Sequence, residues 1–156
     1  MSSVEDTTLR VRRTFHASPA EVFDAWTNPE VLRRWWVRDP AWSTPVADVD
    51  VREGGGYRLS MEDPTTGRRH IVRGEYLTVS RPDLLVYSWS WEHEDGGVGP
   101  ASMVTVEFLA EEGGTSVVLV HTGLEDAGSR DRHGQGWSDC LDSLAREIFT
   151  GAAEPS

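Results

Sequence analysis

The last third of the chain carries one apolar helical stripe and no second helix to cover it. Trp137, Leu141, Leu144, Ala145 and Ile148 recur at i, i+4, i+7, i+8 and i+11, while Asp139, Asp142, Ser143 and Arg146 fall off that line. This spacing predicts an amphipathic helix over about 131–149, behind a loop at 123–130. Such a stripe has to be buried against another layer of structure. Gly134 and Gly136 in the first turns cost about 1 kcal/mol each relative to Ala, which reads as close backbone approach, a mobile entrance or a later helix start.

The layer available upstream is β. Leu9 to Phe15 alternates apolar and polar residues as a half-buried strand does. Val46–Val51, a strand holding Tyr57, Leu59 and Met61, His70–Val79, Leu84–Trp91, Met103–Leu109 and Thr115–Thr122 follow, separated by Gly- and Pro-rich turns. In Leu84–Trp91, Leu85, Tyr87, Trp89 and Trp91 share one face. Connections this short favour antiparallel neighbours. Between the first two strands lie two short helices. Ser18-Pro19-Ala20-Glu21 forms a capping box for one, and Asn28-Pro29 ends it and starts the next, which carries Leu32, Trp35 and Trp36. The expected class is α+β: a curved antiparallel sheet of about six to seven strands, two short helices, and one long C-terminal helix across the sheet. A single domain is expected over 8–150, with loose tails at 1–7 and 151–156.

Composition narrows the function. A chain of 156 residues with seven Trp is long and aromatic enough for a core. Fifteen Arg, no Lys and 26 acidic residues give a charge of −11, which argues against a phosphate-binding nucleic-acid surface. No apolar run approaches the roughly 20 residues of a membrane span, and the first residues lack a secretory pattern, so a cytoplasmic protein without membrane contact is expected. Cys140 is alone, which excludes an intramolecular disulfide and a cysteine metal cluster. Homodimerisation stays open.

Five segments, in order, resemble one superfamily: FHASPAEVFDAWTNPEVLRRWW (15–36), REGGGYR (52–58), RGEYLTVSRPDLLVYSW (73–89), GTSVVLVHTGL (114–124) and HGQGWSDCLDSL (133–144). The chain resembles the START/Bet v 1-like (SRPBCC) helix-grip proteins, and within them bacterial relatives of the C-terminal domain of Aha1, the activator of Hsp90 ATPase. The resemblance implies a bent sheet gripping the last helix, with the helix over its concave face and a cavity between. Relatives bind lipids, hormones or polyketides, some catalyse cyclisation or aromatisation, and one branch activates a chaperone in the stress response. Aha1 proteins add an N-terminal domain that contacts the chaperone. The first strand here starts near residue 8, so that domain is not expected, and a chaperone partner ranks below a ligand.

Binding of a small hydrophobic molecule, aromatic or acyl, is therefore the leading expectation, with no cofactor. Trp35, Trp89 and Trp137 lie on elements that face each other in the family's architecture. Trp36, Tyr57, Tyr76, Tyr87 and Trp91 extend the aromatic set, and Phe108, His121, Leu141 and Leu144 complete the candidate lining. An enzyme of the cyclase, aromatase or hydrolase kind on a polyketide-like substrate is the alternative. It would use His121, Arg73 and Glu75, the last two on one strand face and able to pair. His70 and His133 are further titratable candidates, and His133 near the expected helix start would be kept uncharged by the helix dipole. Asp48, Asp50 and Glu53 read as a solvated edge, and Cys140 as a small buried hydrophobe. No HExxH, GxSxG or phosphate-loop pattern occurs, and no metal site is expected from Asp126, Asp131 and His133.

Overall fold

A computed structural model describes residues 7–93 and 95–149. The first strand β1 (Leu9–Phe15) leads into α1 (Pro19–Thr27) and α2 (Pro29–Trp35). Then come β2 (Ala47–Val49), β3 (Gly56–Glu62), β4 (Arg69–Ser80), β5 (Leu84–Trp91), β6 (Ser102–Glu111) and β7 (Gly114–Thr122), and α3 (Ala127–Glu147) closes the fold. The seven strands form one antiparallel sheet in the order β1-β7-β6-β5-β4-β3-β2. This is the expected α+β arrangement. The tails expected at 1–7 and 151–156 lie outside the described residues, apart from Thr7, whose carbonyl accepts from Leu124 N.

Local chemistry accounts for the boundaries. The Ser18–Glu21 capping box forms in both directions, satisfying two helix-end N–H groups. The Asn28 side chain accepts from Glu30 N and so starts α2 one residue after α1 ends. Two differences from expectation have a clear local cause. The strand expected at Val46–Val51 shortens to Ala47–Val49, because Asp50 N already bonds Gly56 O and Arg52 N bonds Asp50 O, which turns the chain. The last helix starts at Ala127, not near 131, because the Asp126 side chain caps it by accepting from Ser129 N at 2.8 Å. Its first ten residues, AGSRDRHGQG, have no apolar period to announce them.

Alternate residues of each strand point inward. Tyr57, Leu59 and Met61, then Leu85, Tyr87 and Trp89, then Val104, Val106 and Phe108, then Val117, Leu119 and His121 are all buried. Register aligns Tyr87 with Val104 and Val104 with His121, so these face one another across three strands. A bulge between Tyr76 and Thr78 shifts the β4–β5 register, and bulges bend the strand that carries them. Gly74 lies beside it. A Cβ there would meet Ser88 O at 2.0 Å and the Tyr57 ring at 2.7 Å, and Tyr57 reaches over it to donate to Ser88 O.

α3 lays Trp137, Cys140, Leu141, Leu144 and Ala145 against the inward face. Neither Gly134 nor Gly136 is required by close approach: a Cβ at Gly134 would meet nothing within 4 Å, and one at Gly136 would make an ordinary contact with the Arg38 side chain at 3.6 Å. Gly134→Ala should therefore raise stability by about 0.5–1 kcal/mol, read as a higher urea midpoint at unchanged slope. Asp126→Ala should lower it by about 1 kcal/mol through loss of the cap.

Candidate functional site

One end of the sandwich is hollow. A cavity of about 490 Å³ opens between α3, the segment after α2, and strands β3 to β5. Its interior wall is made by Trp36, Met61, Trp89, Trp137 and Cys140, all buried. Trp42, His70, Trp91 and His133 are half-buried, and the exposed Arg38, Arg68 and Arg132 stand at the rim. The tryptophans brace each other: Trp89 and Trp137 rings are 5.0 Å apart, Trp36 and Trp137 5.4 Å, and Trp89 and Trp91 5.4 Å. Trp42 stacks on His70 with ring planes 8° apart. Such pairs contribute about 0.5–1.5 kcal/mol each beyond burial.

Two histidines hold two of these walls in place. Trp137 Nε1 donates to His121 Nδ1 at 3.1 Å, and Trp91 Nε1 donates to His133 Nε2 at 3.0 Å. An indole N–H can only donate, so both imidazole nitrogens must be acceptors and both rings neutral. His121 then carries its proton on Nε2, which donates to Ser102 Oγ at 2.7 Å, and that hydroxyl donates on to Trp89 O. His133 carries its proton on Nδ1, facing Ser129 O at 2.8 Å. Burial pushes the His121 pKa down to about 3, with the neighbouring His133 adding to the effect. Burial also lowers His133, opposed by its bond to Ser129 O and reinforced by Arg132 and Arg38. Since α3 starts at Ala127, His133 sits in its second turn, and burial rather than the helix terminus keeps it uncharged. His70 is lowered by burial and then by Arg68 and Arg38. Trp89 Nε1 is buried without an acceptor among the described residues.

The other end of the interior is filled. Tyr57, Tyr76 and Tyr87 contact one another at 5.3–6.0 Å between ring centres. The space beside them is only about 10 Å³, at the limit for a single water. Burial raises all three phenol pKa values, so none is an acid near neutrality.

Residues 16–148 match the family described as Activator of Hsp90 ATPase homolog 1-like protein (AHSA1). The chain belongs to that family. Among solved structures, the AHSA1 protein of Silicibacter pomeroyi is 28% identical with a TM-score of 0.80, over 89% of this chain and 95% of that one. A Chromobacterium violaceum protein is 25% identical with a TM-score of 0.80, over 90% and 95%. An HSP90 activator from Plasmodium falciparum is 23% identical with a TM-score of 0.68, over 90% and 94%. Among curated proteins, none matches.

In this AHSA1-like domain the residues singled out from sequence fall in different places. Trp36, Trp89, Trp91 and Trp137 line the cavity. Trp35, Phe108, Leu141 and Leu144 are core, Trp35 bonding Ala25 O and Phe108 packing on Phe23 and Trp26. Tyr57, Tyr76 and Tyr87 form the filled end, and His121 sits behind Trp137. Arg73 and Glu75 are exposed on the opposite sheet face, where Arg73 lies 3.8 Å from Glu92, so they share no site with His121. Asp50 pairs with Arg52 at the edge, and Glu53 accepts from Val79 N. Burial pushes the Cys140 thiol up, leaving an inert cavity wall. Arg38, Trp42, Met61, Arg68 and Arg132 were not foreseen. The visible signal was an aromatic in a loop, Trp42, and the basic pair before His70. Among the described residues, no group of His, Cys, Asp or Glu is placed to hold a metal, and no helix is long and apolar enough to cross a membrane.

The neutral histidines make stability pH-dependent. A histidine held below its unfolded pKa of about 6.5 contributes fully above that pH, and the contribution is lost as pH falls toward the folded value. For His121 the window runs from about 6.5 down to about 3, with a slope near 1.4 kcal/mol per pH unit. Urea unfolding of the wild type should show stability falling between pH 6.5 and 4.5. His121→Asn should be less stable at pH 7 and show a visibly flatter slope over that range.

Proposed function

We propose that this AHSA1-like domain binds a small hydrophobic molecule, aromatic or acyl, in the cavity under α3. The observation that carries this reading is a hollow of about 490 Å³ walled by Trp36, Trp42, Trp89, Trp91, Trp137 and Met61. That volume is within the usual range for small-molecule pockets, about 300–1,000 Å³. Flat, braced indoles offer large contact area at little cost in side-chain entropy. Each buried square ångström of apolar ligand surface contributes about 25 cal/mol. The walls are held before any ligand arrives, which lowers the ordering cost of binding.

Native mass spectrometry of protein purified from its own source should show a bound small molecule. Calorimetric titration with the uncharged probe N-phenyl-1-naphthylamine should show one site. Trp42→Ala removes one half-exposed wall and should weaken that probe by about 3–10-fold. A protein that carries nothing and gives no heat with a broad apolar library would overturn the reading.

The family's description favours a second reading, contact with an Hsp90-type chaperone. Stimulation of the matching chaperone's ATPase above the noise at saturating domain supports it, and its absence ends it.

A further inference from the structure

The rim of the cavity differs in charge from the rest of the molecule. The chain has 26 acidic residues against 15 arginines, and its guanidinium groups readily find carboxylates. Arg13 pairs with Asp142, Arg58 with Glu92 at 2.6 Å, and Arg69 with Glu62 at 2.7 Å. Among the described residues three arginines line the cavity, Arg38, Arg68 and Arg132, and no lining residue carries a carboxylate. Arg38 lies against Gly136 and reaches Asp139 at 3.5 Å. Arg68 and Arg132 have no ion-pair partner among the described residues. They approach from opposite sides: Arg68 ends the β3–β4 turn, and Arg132 belongs to α3. Alternation turns Arg69 outward to Glu62 and leaves Arg68 on the side of His70, at the cavity. Asp63 acts on His70 and Glu125 on His133, each favouring the charged ring, and neither carboxylate lines the cavity.

A negatively charged protein repels anions at long range. A pair of unused guanidiniums above an apolar hollow reverses that locally, and guanidinium matches a carboxylate in shape and charge. We propose that the ligand is an amphipathic acid, an aromatic or acyl body in the tryptophan cavity with one carboxylate held at the rim by Arg68 and Arg132. The proposal rests on the ligand-binding reading above and narrows its chemistry.

The test compares 1-naphthylacetate with its uncharged amide by calorimetric titration at low and high salt. Wild type should bind the acid about tenfold tighter than the amide at low salt, and high salt should shrink that ratio. Arg68→Gln and Arg132→Gln should each reduce the ratio, and the double variant should bring it to about one with the amide's affinity unchanged. Arg10→Gln, an exposed charge on β1, should leave the ratio unaltered. If wild type binds acid and amide equally, or if Arg10→Gln lowers the ratio as much as the rim variants do, the acid proposal fails while the cavity reading stands. If neither compound binds, nor the uncharged naphthylamine, the cavity reading itself fails.

Discussion

A donor-only indole facing an imidazole is the constraint on which the site depends. Trp137 and Trp91 are large, and either could rotate into the space between helix and sheet. Each is instead tied by its N–H to a neutral ring nitrogen, Trp137 to His121 on β7 and Trp91 to His133 on α3. The two bonds cross the sandwich in opposite senses, one from helix to sheet and one from sheet to helix. The hollow is thus held open by polar bonds between its walls as well as by packing. Burial keeps the imidazoles in the only protonation state that can accept.

The same sheet is filled at one end and empty at the other. Where β3, β4 and β5 carry Tyr57, Tyr76 and Tyr87, the Tyr87 ring meets the other two edge to face, and Tyr57 spends its hydroxyl on Ser88 O across Gly74. One step along β5, Trp89 packs on Trp36, Trp91 and Trp137, and the space beyond them stays open. The β4 bulge lies beside the tyrosine cluster. Aromatic content alone therefore does not mark a binding site; what matters is whether the rings close on each other or line up around a space.

Much of the architecture was legible in the chain because its signals are periodic. The alternation in Leu84–Trp91 and the stripe from Trp137 to Ile148 identified both layers, and Ser18 and Asn28 marked two helix starts. The start of α3 was hidden because its first turns face the rim and solvent and have no apolar repeat, leaving Asp126 as the one clue. Site residues were harder. Trp36, Trp89, Trp91 and Trp137 followed from the layers that carry them, whereas Trp35 and the tyrosines have the same chemistry and pack into core. Arg38, Trp42, Arg68 and Arg132 come from loops, a turn and a polar helix face that only the tertiary fold brings together. Arg73 and Glu75 show the converse: local proximity on a strand placed them together, but on the outer face.

The strand order has a consequence for how the protein is made. β1 is made before the six other strands of this sheet, yet among the described residues it pairs with β7 alone, with Leu9 opposite His121. Closing a loop of that length must precede the contacts that reward it, so this pairing forms late. Until β7 is synthesised, the apolar side chains of β1, Leu9, Val11 and Phe15, have no native sheet partner. A nascent chain in this state exposes an unpaired strand, the kind of surface that invites aggregation or chaperone attention.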